Sequence, residues 1–320
     1  MKSVVVGIDV GGTNTVFGIV DKDGNFYGEG SIPTQAYPTF NDWAQSIHDA
    51  IMQTLKERDG EIELTGIGIG APNGNYYTGH IENAVNLSWS GNVDVVGKMK
   101  ELFGNDKTAV LTNDANAAAV GEMVYGGAKG MKDFIVITLG TGLGSGVVVN
   151  GQMVHGYDGN AGELGHVIIE KGGRKCGCGR NGCLEAYASA TGIKRTVFEL
   201  LANENIPSTL RAFTYNDLTS EMIYKEAVAG DKLALMAFEE TGKKLGQALA
   251  DFTAFSTPEA FFLFGGLAKA GSLILEPTKR YMEENICIIY KNKIKVLLSE
   301  LNDKNAAVLG AAALAWSELS

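Results

Sequence analysis

The chain has 320 residues, 45% hydrophobic and 20% charged, with 27 Lys and Arg against 37 Asp and Glu for a formal charge of −10. It exceeds one comfortable core, which predicts two globular domains of roughly 100–200 residues each. The acidic balance and the lack of any basic run exclude a general affinity for nucleic acid, which rests on neutralising phosphates.

No apolar stretch approaches the ~20 residues of a membrane span, so no membrane partner is expected. MKSVVVGIDVGG lacks the longer apolar region and small-residue cleavage site of a signal peptide, and a cytoplasmic protein with reduced cysteines is expected.

The opening VVVGIDVGGTNTVFGIVDKDGNFYGEGSIP reads as three short strands. Val4–Val6, Ile8 and Val10 form the first, Thr15–Val20 the second, Asp23-Gly24 a hairpin turn and Phe26–Ile32 the third. Asp9-Val-Gly-Gly-Thr-Asn14 therefore joins two strands, unlike the strand-to-helix glycine loops of dinucleotide-binding and P-loop proteins. Gly11 and Gly12 allow positive φ and close approach of backbone N–H groups to an anion, with Thr13 and Asn14 adding side-chain donors. Asp9, next to that anion, can hold Mg²⁺ through water. A plain glycine hairpin is the alternative.

Residues 40–58 show helical spacing through Phe40, Trp43, Ile47, Ile51 and Leu55, followed by a strand at Leu64–Ala71. Helical patterning returns at 93–103, Ala109–Leu111 read as a strand, and the alanine-rich Asp114–Val124 as a helix. Thr112-Asn113-Asp114 thus sits where a strand gives way to a helix. There Asp114 can take the proton of an alcohol attacking phosphorus, and Asn113 can bond a neighbouring hydroxyl, although position alone makes Asp114 a helix cap.

From Asp133 the opening pattern repeats: FIVITLGTGLGSGVVVNGQMV is strand, glycine turn, strand, then a hairpin turn at Asn150-Gly151. The echo suggests two related halves. Gly140, Thr141 and Gly142 lie in this second phosphate turn, which a strand rather than a helix follows, so it is no Rossmann fingerprint.

GELGHVIIEKGGRKCGCGRNGCLE then gathers His166, Cys176, Cys178 and Cys183, a donor set that closes the tetrahedral shell of a structural Zn²⁺. Reduced surface thiols beside an ordinary histidine are the alternative. Glu163 and Glu185 bracket this loop and can accept hydroxyl protons from a polyol, while His166 can bind metal through one ring nitrogen and offer the other N–H to a sugar. Cys287 reads as a buried small hydrophobe.

Helices are predicted at 192–203, 217–228 and 231–254. PEAFFLFGGLAKAG follows as strand, Gly265-Gly266 and helix, the glycine pair leaving room for a flat nucleobase. A strand at Ile294–Leu298 and a helix at Asn305–Leu319 end the chain. Alternation of strands and helices gives α/β architecture, with a domain boundary near residues 112–130.

In these motifs the chain resembles the ROK family (repressors, uncharacterised reading frames, kinases), whose kinase members are sugar kinases. DVGGTN is similar to the family's first phosphate motif, LGTGLGSG to its second and FGGLAKAG to its adenosine motif. TNDANAAA resembles the segment with the catalytic aspartate, GELGH the sugar-binding glutamate and histidine, and CGCGRNGCLEAYAS the zinc signature.

The resemblance implies a two-domain actin/hexokinase-like (ribonuclease H-like) α/β fold with a ligand cleft between the domains. One domain would be residues 1–112, with a C-terminal helix at about 303–320 packing back on it, and the other residues 113–302. It implies ATP with Mg²⁺ as donor and a hexose, glucose first, as acceptor. Asp114 would be the general base, and Asn113, Glu163, His166 and Glu185 would hold the pyranose. A homodimer or homotetramer is also implied. N-acetylmannosamine or N-acetylglucosamine kinase is the nearest rival, a non-catalytic sugar sensor the rival from another class, and polyphosphate the alternative donor. Family repressors carry an N-terminal helix-turn-helix, and a chain opening on its first strand is not expected in that branch. One departure is Gly70-Ala-Pro-Asn73-Gly74, where members commonly read Gly-x-Pro-Gly. The loop approaches the sugar in the family, so Asn73 is expected to alter its backbone or add a contact.

Overall fold

The computed structural model describes residues 1–83, 87–89, 91–301 and 306–319. In chain order the elements are β1 (Lys2–Val10), β2 (Asn14–Val20), β3 (Phe26–Pro33), α1 (Phe40–Lys56), β4 (Ile62–Ala71), β5 (His80–Glu82), β6 (Asn92–Asp94), α2 (Val95–Phe103), β7 (Thr108–Asn113) and α3 (Asp114–Tyr125). They continue with β8 (Phe134–Leu139), β9 (Leu143–Val149), β10 (Gln152–Met153), α4 (Ala190–Asn203), α5 (Ser220–Val228), α6 (Lys232–Ser256), β11 (Ala260–Phe264), α7 (Ser272–Asn285), β12 (Lys295–Leu298) and α8 (Ala306–Glu318). This is the expected α/β architecture.

The chain divides into two compact units, one of Met1–Gly130, Met153–Ala161 and Glu300–Ser320, the other of Met131–Gln152 and Gly162–Ser299. A boundary at 112/113 would assign α3 to the second unit. Instead α3 packs on α8, β4 and β7 within the first, so the division falls beyond its end. The expected far boundary at 302/303 and Asn305, the expected start of the last helix, lie outside the described residues.

In the first unit the sheet runs β3-β2-β1-β4-β7, with β1 antiparallel to β2 and parallel to β4, and β7 parallel to β4. The unbroken apolar run Val4–Val6 suits a strand covered on both faces. One cover is α1, capped by Thr39 and packing Trp43, Ile47 and Ile51 inward. The other is α8, whose backbone lies directly on the sheet. A Cβ on Gly7 would sit 2.1 Å from the Val308 carbonyl oxygen, and one on Gly68 1.8 Å from that of Ala311. The small β5-β6 hairpin was not visible in the periodicity, its strands being three residues each.

In the second unit the order β10-β9-β8-β11-β12 repeats that arrangement, with an antiparallel β8-β9 hairpin and β11 and β12 added in parallel. The duplicated pattern seen in the sequence thus has a counterpart in strand order. Cys287 is exposed, contrary to expectation, because it opens a surface 3₁₀ turn, Ile288–Tyr290, between α7 and β12. Among the described residues no helix is long and apolar enough to cross a membrane.

Candidate active site

In the first unit, register places Asp9 opposite Gly70 and Ala71 opposite Asn113. Asp9, Asn113 and Asp114 therefore gather at the carboxyl ends of neighbouring parallel strands, where open α/β sheets bind ligands. The cap of α3 is Asn113, whose Oδ1 accepts the N–H groups of Ala115 at 2.7 Å and Asn116 at 3.2 Å. Asp114, which position alone marked as the cap, is the first helical residue and accepts the Ala115 N–H at 2.9 Å.

Burial, and then the charge of Asp114, push the Asp9 carboxyl up to about 7. Asp114 remains accessible to water, yet the protein around it strips enough hydration to raise its carboxyl as well, against the opposing pull of the Ala115 N–H.

The first glycine turn is closed by Gly11 N–H donating to the Asn14 carbonyl at 3.0 Å. Neither Gly11 nor Gly12 takes positive φ. Glycine is needed at 11 for proximity, since a Cβ there would lie 2.7 Å from the Asn14 oxygen. Thr13 and Asn14 are exposed, and the N–H groups of Gly12 and Thr13 have no acceptor among the described residues.

Asn73 has φ 53, the left-handed conformation that glycine supplies and asparagine tolerates. Its side chain faces its own loop, Nδ2 donating to the carbonyls of Glu82 at 2.9 Å and Asn83 at 3.4 Å. Gly74 lies over the end of β7, where a Cβ would be 2.5 Å from the Thr112 oxygen.

In the second unit, the carbonyls of the second glycine turn are tied down by the start of α4. Ala190 N–H donates to Gly140 O and Thr191 Oγ1 to Thr141 O, both at 2.9 Å. The N–H groups of Thr141 and Gly142 have no acceptor among the described residues. Gly265, at φ 97, presses against this turn from the end of β11, a Cβ there falling 2.9 Å from the Leu139 oxygen. Gly266 opens the 3₁₀ turn that follows.

The ligand atoms of His166, Cys176, Cys178 and Cys183 all lie within 4.8 Å of one another. Zinc–sulfur and zinc–nitrogen bonds in tetrahedral array imply S···S of about 3.8 Å and S···N of about 3.6 Å. Cys178 and Cys183 sulfurs are 3.6 Å apart, and Cys176 Sγ is 3.6 Å from His166 Nδ1, so the cluster fits a zinc ion. The Arg180 backbone N–H draws the Cys178 thiol down to about 6, whereas burial pushes Cys176 up to about 12. The other ring nitrogen of His166, Nε2, faces the Glu163 carboxylate at 3.9 Å. Glu185 stands between the cluster and the turn: Oε1 receives the Cys176 thiol at 3.4 Å, and Oε2 the Leu143 N–H at 3.0 Å.

Sequence reasoning missed the side chains that hold these groups still. Ser145, buried on β9, bonds on both sides of Glu163, and Arg174 fastens the cysteine loop to the Ala186 carbonyl ahead of α4 and to α4 itself through the Gly192 carbonyl, Thr196 and a paired contact with Glu199. Ser145 stood in the LGTGLGSG text as an inward-facing polar residue, but nothing in the sequence named its partners.

Two glycine turns with unspent amides, a raised carboxylate pair and a cysteine–histidine cluster that could hold a metal ion are set on an α/β frame. Residues 5–318 match the ROK family, and the chain belongs to it. It is 37% identical to a glucokinase of Halalkalibacterium halodurans, over 87% of this chain and 84% of that protein. A ROK family glucokinase from Streptomyces griseus, solved with glucose and AMPPNP, is similar at a TM-score of 0.79 and 31% identity, covering 98% of this chain and 99% of that one. A xylose repressor of Caldicellulosiruptor bescii is 29% identical, over 80% of this chain and 63% of its own length.

Proposed function

We propose that this chain is an ATP-dependent hexokinase that phosphorylates glucose at its 6-hydroxyl. The observation that carries the reading is Asp114, a carboxylate of raised proton affinity at the head of α3, beside the turn that follows Asp9. Likeness to glucokinases over nearly the whole chain supports it.

In this reading Asp114 accepts the proton of the sugar 6-hydroxyl as that oxygen attacks the γ-phosphorus, and ADP leaves. Asp9 would hold the Mg²⁺ that accompanies ATP, an ion that would supply neutralisation of phosphate charge. The unspent amides of Gly12, Thr13, Thr141 and Gly142 receive phosphate oxygens, with Gly11, Asn14 and Gly140 shaping the turns, and Gly265 and Gly266 lie under the nucleoside. Asn113, with Oδ1 committed to the cap, presents its amide NH₂ to a sugar hydroxyl. Glu163, His166 and Glu185 hold the ring, and Asn73 supports the sugar loop by its backbone. Positioning and electrostatics supply most of the acceleration.

Zinc held by His166, Cys176, Cys178 and Cys183 would have no open coordination position and would serve to fix the loop bearing Glu163 and Glu185. The protein is read as cytoplasmic, and as a homodimer or homotetramer whose mass light scattering would give.

A panel of hexoses and N-acetylhexosamines assayed with ATP and with polyphosphate, reading ADP release and sugar phosphate, tests the proposal. Turnover highest with glucose and ATP is expected; preference for an N-acetylhexosamine would move the chain to that kinase class. The repressor relative gives the second reading, a sugar sensor, which sugar binding without any phosphate transfer would support.

A further inference from the structure

We infer that Thr34 is the positioning residue of the first glycine turn, acting through a one-way chain of buried hydrogen bonds that begins at Trp43. The Trp43 indole N–H donates to Thr15 Oγ1 at 2.9 Å, the hydroxyl oxygens of Thr15 and Thr34 are 2.8 Å apart, and Thr34 donates to the Gly11 carbonyl at 2.8 Å. Counting protons fixes the middle bond. The Gly11 carbonyl can only accept, so Thr34 spends its single proton there, and Thr15 must donate to Thr34. The indole N–H can only donate, and it supplies the acceptor side of Thr15.

None of the three side chains is exposed to solvent. Water therefore cannot replace a missing member, and removing one leaves a buried polar group unsatisfied. Trp43 is itself wedged against Trp89 and Phe40, with ring centroids 4.9 and 5.7 Å away, so the chain starts from a fixed point.

The effect on the turn follows from peptide geometry. In a trans peptide the C=O and the next N–H point in opposite directions. Holding the Gly11 oxygen toward Thr34 thus turns the Gly12 N–H the other way, where it meets no acceptor among the described residues. The Thr34 backbone N–H adds a second hold, donating to the Thr13 carbonyl at 2.8 Å. One residue, 21 positions after Thr13 in sequence, grips carbonyls on both sides of Gly12. Without the hydroxyl the Gly11–Gly12 peptide can rotate and present its oxygen to the anion, reversing the sign of the interaction.

The inference rests on reading this turn as a phosphate site. Thr34→Val keeps the shape and removes the hydroxyl, while Thr34→Ser restores it. Steady-state kinetics with each substrate varied, together with Tm, should show KM for MgATP about ten-fold higher in Thr34→Val, the size expected for one orphaned carbonyl. KM for glucose should stay within about two-fold, and Thr34→Ser should recover most of the loss. Should Thr34→Val not fold, Thr34→Cys, with its weak S–H donor, carries the same test. Wild-type KM for MgATP in the Val or Cys variant, or equal impairment of Ser and Val, would overturn the inference alone. A wild-type chain that neither binds nor turns over MgATP would overturn the phosphate reading, and this inference with it.

Discussion

The hydroxyl of Ser145 holds Glu163 by its two neighbours: it donates to the Gly162 carbonyl and accepts the Leu164 N–H at 3.1 Å. A carboxylate on a glycine-flanked loop would otherwise sample many directions. Ser145→Ala should raise the KM for glucose about ten-fold with a smaller change in KM for MgATP, in keeping with loss of two buried bonds. Equal changes in both constants would show that the serine supports the unit as a whole and not this loop.

Asp114→Asn keeps the volume and the bond to the Ala115 N–H but cannot take a proton. Turnover should fall about 10²–10⁴-fold while glucose still binds, the usual loss on removing a general base. Titration calorimetry with glucose alongside rate measurements separates the two effects, and undiminished turnover would exclude Asp114 as the base.

Asp9 carries a pH signature. Its carboxyl titrates at about 7 when folded, against 3.8 ordinarily. Below the unfolded value both states are protonated and no penalty exists; as pH rises toward 7 the unfolded chain gives up its proton first and stability is lost. Above that the loss is complete. Asp9→Asn, which has no such proton, should be more stable than wild type near pH 8 by about 1–3 kcal/mol after allowance for solvent screening, roughly 2 °C or more in Tm. At pH 4 the two should melt alike, and the variant should lose activity. Parallel melting curves at every pH would contradict the raised carboxyl.

The cysteine cluster predicts one zinc per chain by elemental analysis. Chelation, or Cys178→Ser, should raise the KM for glucose and lower Tm, since the loop between Glu163 and Glu185 loses its central tie. Full activity after complete metal removal would reduce the ion to a bystander.

Asn73 offers a test of backbone against contact. With φ 53, Asn73→Gly should leave both KM values nearly unchanged, whereas Asn73→Ala should cost about 1–2 kcal/mol of stability for forcing an ordinary residue into that conformation. A large rise in glucose KM for the glycine variant would instead mean that the side chain meets the sugar.

What was legible in the sequence was whatever repeats locally. Val4–Val10, the alanine run after Asp114 and the paired strand–glycine–strand segments announced themselves by spacing, and the Cys-x-Cys cluster by composition. The metal ligands converge because their glycines allow it, which is also local. The role of Asn113 as cap in place of Asp114 was not legible, since it depends on one residue's backbone angle at the strand end. Of the two things glycine allows, positive φ and close approach, only the second is used at Gly11, and crowding by the Asn14 carbonyl is invisible without coordinates. Ser145, Thr34 and Arg174 were missed for a common reason: each acts on residues that the fold alone brings near.

The seam between α8 and the first sheet has a consequence for how the chain is made. Gly7 and Gly68 lie bare until α8 arrives, and the whole second unit is translated in between. A ribosome-bound nascent chain must therefore carry an uncovered apolar sheet face while residues 131–299 emerge and fold. Growth conditions that slow elongation lengthen that exposure, and a trigger-type chaperone guarding the amino-terminal third would shorten its danger.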